Sequence, residues 1–305
     1  IVLDELNSKF ASDSDKLNLA VLALGKLGGR GLDYDSDLDL ILVYDDAAET
    51  RAAVTNAEYY SRAAELFVTA LSSMTRDGNL YRVDLRLRPY GSKGMSAISG
   101  ESFLNYMRET AAVWEMLAFV KLRSVGGDSG LGLAVENSTR RIIHERALAF
   151  DPAVLRAETL RVRHALEEQR SRTRRGTDVD IKYGQGGMLD VYFAMRYLQL
   201  RDNVPDDAGD RSTAFTLERL NRAGSLTESE FHGLLNGYNF LSDLDHNLRL
   251  TVGRTTRLSM GYQLVLSTIA QRMEIASPVE LLEQLTLHRL AIRSAFESVL
   301  RSPGS

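Results

Sequence analysis

The pattern of hydrophobic and polar positions changes character between the first and the second part of the chain. Short apolar runs at residues 19–24 and 38–44 have the length of buried strands, and glycine or acidic residues bound them. Apolar residues at 57–74 recur every three or four positions, which predicts an amphipathic helix. Polar and apolar residues alternate at 80–87, which predicts a further strand. The first part therefore mixes strands with helices.

Beyond about residue 128 the strand patterns almost disappear. Breaks rich in Gly, or in Pro and Asp, separate six segments of helical periodicity at 155–175, 188–200, 214–223, 228–252, 262–273 and 278–300. The sequence therefore predicts the α+β fold class, with a small mixed sheet in a first domain over residues 1–130 and an all-α helical bundle domain over residues 131–305. A chain of 305 residues is long for one compact core, which agrees with two domains.

Composition and charge exclude several kinds of function. The formal net charge is only −4, so we expect neither nucleic acid nor a membrane surface as a partner. No apolar stretch approaches the roughly 20 residues that span a bilayer. The chain has no cysteine, and its five histidines include no i, i+4 pair, so any metal is expected on carboxylates, which favours Mg²⁺ or Mn²⁺. The chain begins with Ile1 and shows no leader, which predicts an internal part of a longer cytoplasmic protein.

Three acidic residues carry the strongest chemical signal. Asp37 and Asp39 stand at i and i+2 where a strand is predicted to begin, so both carboxylates leave the same face. Two carboxylates this close repel each other strongly unless a cation lies between them. Asp84, in the next predicted strand, is the candidate third ligand. A divalent cation on these three acids suits phosphoryl chemistry, because it neutralises phosphate charge and positions the nucleophile.

Residues near these acids offer contacts to a nucleotide. The glycines of segment 25–31 allow backbone N–H groups to approach a polyphosphate closely. Lys26, Arg86 and Arg88 are expected to supply fixed positive charge. Because Arg86 and Arg88 share a face of the predicted strand, at least one of them is also a candidate partner of a nearby acid. The predicted nucleotide-binding set is Gly25, Lys26, Gly28, Gly29, Ser36, Arg86 and Arg88.

Other interpretations of the acidic segment compete with a metal site. A lone Asp-x-Asp pair where a strand begins is usually a solvated turn, and Asp35 or Ser36 is expected to stabilise this turn. A calcium-binding EF-hand loop would need glycine at position 38 and glutamate at position 44, where leucine and tyrosine stand. A dinucleotide-binding glycine loop should open a helix, and no Walker-type Gly-Lys-Ser/Thr is present. These three kinds of site are therefore disfavoured.

The motifs around these residues resemble those of a known family. The spacing from Gly25-Lys26 to Asp37-Leu38-Asp39 is similar to the signature of the DNA polymerase beta-like nucleotidyltransferase superfamily, although Lys26 stands where serine or glycine is usual. Longer strings resemble glutamine synthetase adenylyltransferase over about residues 19 to 300. These strings are GKLGGR at 25–30, SDLDLI at 36–41, YRVDLRLRP at 81–89, VWE at 113–115, KLR at 121–123, GD at 127–128, DIK at 180–182 and GG at 186–187.

The resemblance implies a polymerase beta-like nucleotidyltransferase domain and a particular activity. In that family one half of the full-length enzyme transfers AMP from ATP to a tyrosine of glutamine synthetase, and the other half removes AMP by phosphorolysis. The strings YLQLR at 197–201 and TLERL at 216–220 look more like the adenylylating half. The resemblance also implies ATP as substrate, Mg²⁺ or Mn²⁺ as cofactor, glutamine synthetase as protein substrate, and a PII-type signalling protein as a candidate further partner.

One position departs from the family pattern. Two residues after its Gly-Gly pair the family carries an acid, an aliphatic residue, glutamate and phenylalanine, whereas this chain, which has Gly186-Gly187, carries Tyr192 in place of the glutamate. If that glutamate serves the site in relatives, the reaction rate or the recognition of the protein substrate is in doubt here. The alternative is a position on a helix face that tolerates the change. Trp114 and Glu115 are likewise open between packing and site roles.

These observations lead to a mechanistic hypothesis. Asp37 and Asp39 hold a metal that bridges the ATP phosphates, and Asp84 joins them to bind a second one. The tyrosine hydroxyl, deprotonated with help from Asp84 or its metal, attacks the α-phosphorus, and pyrophosphate leaves into segment 25–31.

Two other functions stay open, and a third is weaker. The nearest alternative is phosphorolytic removal of AMP at an equivalent site. An alternative of another class is a non-catalytic module that senses a nucleotide or a signal. Nucleic-acid polymerisation is disfavoured, because the basic run at Arg170, Arg172, Arg174 and Arg175 lacks interleaved aromatic residues.

Overall fold

The chain packs as two compact units. The computed structural model describes residues 2–10, 17–33, 36–47, 54–76, 78–171 and 178–301. The first unit comprises residues 1–146 and the second residues 147–305. The boundary between a catalytic and a helical domain at residues 130/131 stays a prediction. The two units meet later in the chain, at residues 146/147, inside the helix Ser129–Ala149.

The first unit combines helices with a sheet. Its helices are α1 (Val2–Phe10), α2 (Gly25–Gly28), α3 (Asn56–Ser72), α4 (Gly100–Glu109), α5 (Val113–Phe119) and α6 (Ser129–Ala149). Its strands are β1 (Leu19–Ala23), β2 (Leu38–Tyr44), β3 (Val83–Asp84), β4 (Ile98–Ser99) and β5 (Arg123–Gly127). The strand order is β3-β2-β1-β5, and β4 also pairs with β2. Pairing is antiparallel between β1 and its neighbours β2 and β5, and parallel between β2 and both β3 and β4, so the sheet is mixed, as predicted.

Burial explains why β1 and β2 form. Every residue of β1 is buried, and Asp39 is the single residue of β2 that is only partly buried. The core continues into α3, where the ring of Tyr60 stacks on that of Tyr44 at 4.6 Å between centroids. The predictions of strands at 19–24 and 38–44 and of a helix at 57–74 are confirmed, with small shifts of their ends.

The strand predicted at 80–87 is much shorter in the structure. Of residues 80–87, only Val83–Asp84 forms a strand that pairs with β2. The reason is local: Asp84 Oδ1 accepts a hydrogen bond from the backbone N–H of Arg86 at 2.8 Å, which turns the chain. The Arg88 N–H then donates to the Leu85 carbonyl at 3.2 Å. Arg86 and Arg88 therefore follow the strand and do not share one of its faces.

The second unit is almost entirely helical. Its helices are α7 (Pro152–Ser171), α8 (Met188–Arg201), α9 (Thr213–Arg222), α10 (Glu228–Val252), α11 (Gln263–Arg272) and α12 (Pro278–Val299), with a small antiparallel pair β6 (Val179–Asp180) and β7 (Arg257–Leu258). The six predicted helices are confirmed, although the end predicted at 175 lies outside the described residues. At Gly237, a Cβ would lie 2.4 Å from Ile292 Cγ1, so the glycine lets α10 and α12 pack closely. In the described residues, no helix has both the length and the apolar composition needed to cross a membrane.

Candidate active site

The parallel pairing of β2 with β3 brings two of the three predicted acids together. Asp39 and Asp84 are register partners on these neighbouring strands. Residues paired in this way place their side chains on the same face of a sheet. Asp37 lies just before β2, two residues from Asp39. All three acids are therefore on one side of the sheet, at the end where β2 begins.

Gly25 lies directly against one of these acids. Its φ is +56°, a left-handed conformation that favours glycine. A Cβ on Gly25 would lie 2.3 Å from Asp39 Oδ2, closer than two such atoms can approach. The Leu24 N–H also donates to the Asp39 carbonyl at 2.9 Å. Gly25, which was predicted to approach a phosphate, thus brings its backbone into contact with the carboxylate of Asp39.

Two further glycines of the segment, Gly28 and Gly29, have structural roles. Residues 25–28 form the one-turn helix α2, where the sequence predicted a turn. A Cβ on Gly28 would lie 2.2 Å from the Lys121 carbonyl oxygen, and the Arg123 side chain donates to the carbonyls of Leu27 and Gly28. Gly29 ends the helix, its N–H donating to the Gly25 carbonyl. A phosphate contact by Gly28 or Gly29 stays a prediction.

The loop between α2 and β2 is closed by a polar turn. The Asp33 N–H donates to Ser36 Oγ at 3.3 Å, and the Ser36 N–H donates to the Asp33 carbonyl at 3.1 Å. Ser36 therefore stabilises the turn, as expected from the sequence; Asp35 lies outside the described residues. The Lys26 ammonium lies 4.0 Å from Asp33 Oδ2, with about a quarter of its side chain exposed (24%).

Two arginines pair with the acids. The Arg86 guanidinium forks onto Asp84, with Nε at 3.0 and 2.9 Å from the two carboxylate oxygens and a terminal nitrogen at 2.5 Å from Oδ2. This confirms that one of the two predicted arginines pairs with a nearby acid. Arg82 Nε lies 3.3 Å from Asp37 Oδ1. Arg82 was not among the predicted site residues, although its position two residues before Asp84 could have marked it as a partner of the acids.

Arg88 is held by its own loop. Its guanidinium donates to the carbonyls of Leu85 at 2.8 Å and of Gly94 at 3.0 and 3.1 Å, with a longer contact to Ser92 at 3.4 Å. These bonds fold the chain back after β3. The predicted phosphate contact of Arg88 gains no support from this geometry and stays a prediction.

The charges of the site act on one another. Hydrogen bonds from the Arg86 side chain lower the pKa of Asp84 below its usual value, although burial opposes the shift. Asp84 raises the pKa of Arg86, and Asp39 and Asp37 raise it further. The single guanidinium of Arg86 thus interacts with all three carboxylates, which keeps Asp84 ionised.

The three acids have the right ligand atoms for a divalent cation, but their side chains are not arranged around one point. In the ranges described above, no three acidic or histidine side chains already converge as metal ligands. Asp84 is turned to Arg86, and Asp37 to Arg82. The donor atoms are nevertheless carboxylate oxygens, which Mg²⁺ and Mn²⁺ prefer, and Asp39 and Asp84 lie side by side.

The second unit contains a buried ion pair at the motif that resembles the family. Asp190 Oδ1 accepts from Arg163 Nε at 2.5 Å, and both side chains are 0% exposed. Asp190 Oδ2 accepts from the Gly186 N–H at 2.7 Å. Gly186 has φ +66°, and a Cβ there would lie 2.0 Å from the Arg289 carbonyl oxygen. The ion pair therefore fixes the glycine loop against α12, which is a structural role.

A cavity of about 320 Å³ lies beside this loop. It is lined by Glu167, Arg170, Asp178, Val179, Asp180, Tyr183, Gly184, Gln185, Arg257 and Arg289. The lining carries three arginines and three carboxylates, so charge alone does not select a class of ligand. The Arg170 guanidinium lies 4.4 Å from the centre of the Tyr183 ring. Of the predicted basic run, Arg172, Arg174 and Arg175 lie outside the described residues.

Tyr192 and Glu115 have packing partners. Tyr192, in α8, meets Tyr238 of α10 edge to face at 6.1 Å between ring centroids, and burial raises its pKa. Its phenol therefore stays neutral, and it contributes no charge at the position where the family pattern led us to expect glutamate. Glu115 accepts from the Ala112 N–H at 2.8 Å and from the Tyr106 hydroxyl at 2.6 Å. For Glu115 the structure supports a packing role.

Comparison with known proteins gives a consistent result. Residues 3–138 match the family model of glutamate-ammonia ligase adenylyltransferase, and residues 160–300 match that of GlnD PII-uridylyltransferase. The chain is 31% identical, over 94% of its length, to a bifunctional glutamine synthetase adenylyltransferase/adenylyl-removing enzyme of Pseudomonas syringae pv. tomato. Proteins of the same name from Pseudomonas aeruginosa and Methylococcus capsulatus are 32% identical over 93% of the chain and 34% identical over 78%.

The match covers only part of those proteins. The chain spans 29% of the Pseudomonas relatives and 25% of the Methylococcus one. Within that part the likeness is continuous, because it extends through both the sheet and the helical unit. The chain therefore contains a glutamate-ammonia ligase adenylyltransferase domain over residues 3–138, and along almost its whole length it is similar to part of these bifunctional enzymes.

Proposed function

We propose that this chain transfers AMP from ATP to a tyrosine side chain of glutamine synthetase in a metal-dependent reaction. The observation that carries the proposal is the register pairing of Asp39 with Asp84, with Asp37 two residues away on the same side of the sheet. Crowding three acids has a use in phosphoryl transfer and none in a stable sheet, because like charges repel. The names of the relatives supply the class of substrate.

The reaction forms one bond and breaks another. The tyrosine oxygen forms a bond to the α-phosphorus of ATP, the bond from that phosphorus to the bridging oxygen breaks, and pyrophosphate leaves. The phenol proton passes to solvent. A bound Mg²⁺ or Mn²⁺ would neutralise phosphate charge and make the attacking hydroxyl more acidic.

The acids of this chain act as ligands in this proposal. Asp37, Asp39 and Asp84 would hold the cation through carboxylate oxygens. Asp84 is assigned the role of ligand because it is the register partner of Asp39 on the neighbouring strand.

Nucleotide contacts follow from the same geometry. The backbone at Gly25 lies against Asp39, and the Lys26 side chain follows it in α2, so both are proposed to contact the phosphates. Arg86 is mostly exposed and is proposed as a further phosphate contact. Gly29 and Ser36 border the same segment and keep their proposed contacts.

The test is the substitution Asp39→Asn, which keeps the size of the side chain and removes its charge. We expect AMP transfer from α-labelled ATP to purified, unmodified glutamine synthetase to be lost. Asp45→Asn is the matched control, because Asp45 is an exposed acid just beyond the other end of β2. Its carboxylate accepts a hydrogen bond from the Ala47 N–H in a turn. Retained transfer in Asp39→Asn contradicts the proposal.

A second candidate is the reverse modification, because the relatives are named for both activities. Here a phosphate oxygen attacks the phosphorus of AMP-tyrosine, the bond to the tyrosine oxygen breaks, and ADP is released. Incubating the chain with unmodified enzyme and ATP, and separately with adenylylated enzyme and phosphate, distinguishes the two. Pyrophosphate appears in the first case and ADP in the second.

The helical unit suggests a regulatory partner. Its match to a PII-uridylyltransferase model supports the proposal that a PII-type signalling protein binds this chain. We expect a purified PII-type protein to change the rate of AMP transfer and to bind the chain in calorimetry. Unchanged rate and no heat of binding contradict this partner.

A further inference from the structure

The two oxygens of Asp84 are occupied by one neighbour. The Arg86 guanidinium contacts both of them at 2.5 to 3.0 Å, and the Arg86 N–H adds a backbone bond to Oδ1 at 2.8 Å. The exposures of the pair differ sharply: the Asp84 side chain is 18% exposed and that of Arg86 is 81% exposed. The acid is thus fixed while its partner lies in solvent.

We propose that Arg86 is a resident counter-ion that closes Asp84 to divalent cations until nucleotide phosphates draw the guanidinium away. The inference rests on the proposed function, since it assumes that Asp84 is a metal ligand. A carboxylate that is forked onto a guanidinium has its oxygens engaged, and a second cation beside that guanidinium would be repelled. Arg86 therefore competes with the metal for the same acid.

The structure shows why Arg86 can leave. In the described part of the chain, all recorded hydrogen bonds of its side chain go to Asp84, so its departure disturbs no backbone. Arg88 is the opposite case, since its guanidinium ties the carbonyls of Leu85 and Gly94 together. The backbone bond from the Arg86 N–H to Asp84 does not depend on the guanidinium. Asp84 consequently keeps its orientation after the side chain has turned away.

The destination of the guanidinium follows from its chemistry. A planar guanidinium binds phosphate oxygens with the same fork that it offers to a carboxylate. A polyphosphate beside Asp39 and Gly25 would also lie close to Asp84, because Asp84 is the register partner of Asp39 on the neighbouring strand. Nucleotide binding and release of Asp84 are thereby coupled, and Arg86 is a positioning residue for both.

The test compares two affinities in the full chain. Mn²⁺ binding without nucleotide is followed by electron paramagnetic resonance, and ATP binding in EDTA is followed by calorimetry. For Arg86→Ala we expect Mn²⁺ to bind roughly five- to tenfold more tightly and ATP to bind weaker by roughly the same factor. Arg86→Lys keeps the charge without the fork and should give intermediate values of both. A merely structural defect would weaken both affinities together.

Two further variants keep the outcomes distinct. Arg161→Ala is the matched control, because Arg161 forks onto the exposed Glu158 in the same geometry, and we expect both affinities to stay unchanged. Asp84→Asn should weaken Mn²⁺ binding; unchanged binding there overturns the metal assignment of the proposed function as well. If Asp84→Asn weakens Mn²⁺ binding but Arg86→Ala leaves it unchanged or weaker, only the role of Arg86 is overturned.

Discussion

Two arginine–carboxylate pairs of this protein lie in opposite surroundings. Arg86 and Asp84 meet at a surface where the arginine is 81% exposed, whereas Arg163 and Asp190 are both 0% exposed. An exposed pair contributes little to stability and can exchange its partners, while a buried pair becomes indispensable once formed, because neither charge can be left alone. The difference separates a site that can react from one that can only hold the fold.

The comparison is sharpened most by Asp37→Asn in the sheet unit. We expect AMP transfer to fall by roughly 10³-fold, about 4 kcal/mol, because one of three proposed metal ligands loses its charge. The free energy of unfolding should change by less than about 0.5 kcal/mol, since the side chain is 30% exposed and its ion pair with Arg82 lies at the surface. Transfer assays and urea denaturation of the same preparation measure both. A loss of stability that matches the loss of activity would break the distinction.

The converse prediction concerns Asp190→Ala in the helical unit. The change leaves the buried Arg163 with only the longer contact to Glu167, at 3.5 Å, as a carboxylate partner, and it removes the acceptor of the Gly186 N–H. We therefore expect the free energy of unfolding to fall by about 3 kcal/mol or more. Urea denaturation measures it. Glu158→Ala is the control, because Glu158 pairs with Arg161 at the surface of the same helix α7. Equal effects of the two variants would show that burial is not what distinguishes the pairs.

Much of the fold could be predicted from the sequence, for a physical reason. β1 and β2 are buried over nearly their whole length, so their composition alone identifies them. The place of Asp39 and Asp84 on neighbouring strands could also be anticipated, since each lies in a segment whose pattern predicts a strand. The extent of β3 could not. Alternation at 80–87 looks the same whether the chain stays extended or is turned by the Asp84 carboxylate.

Side-chain partners were the part that sequence reasoning could not assign in full. Arg86 and Arg88 looked equivalent, yet one forks onto Asp84 and the other binds carbonyls as far away as Gly94. That choice depends on the shape of the loop after β3, which no periodicity encodes. The pair of Arg163 with Asp190 joins residues far apart in the chain and depends on how α7 packs on α8.

A smaller effect is expected from Gly25→Ala. Its φ of +56° alone should lower the free energy of unfolding by about 1 kcal/mol. The added Cβ meets the mobile end of the Asp39 side chain, so the carboxylate is displaced and transfer should fall roughly 10- to 100-fold. Gly224→Ala is matched in backbone strain, with φ +76° and nothing within 4 Å of the new Cβ. It should lose similar stability and keep its activity. Equal activities of the two variants would disprove the displacement of Asp39.

The smallest expected effect tests the helical unit by pH. His288 stacks on Phe240 at 4.5 Å between ring centroids, and burial lowers its pKa below the usual 6.5. As the pH falls through about 6.5, the unfolded chain therefore takes up the proton first, so stability is complete above that pH and decreases below it until the folded imidazole also protonates. His288→Phe keeps the stacking and removes the titration. The unfolding free energy is compared at pH 7.5 and pH 5.5, roughly one unit on either side of the usual pKa. We expect its decrease between these two pH values to be smaller in the variant by about a few tenths of a kcal/mol. AMP transfer at pH 7.5 should match that of the unaltered chain, because His288 belongs to the unit whose charged groups hold the fold. An unaltered pH slope would mean that the imidazole is protonated equally in both states, and burial in this unit would then not govern its ionisable groups.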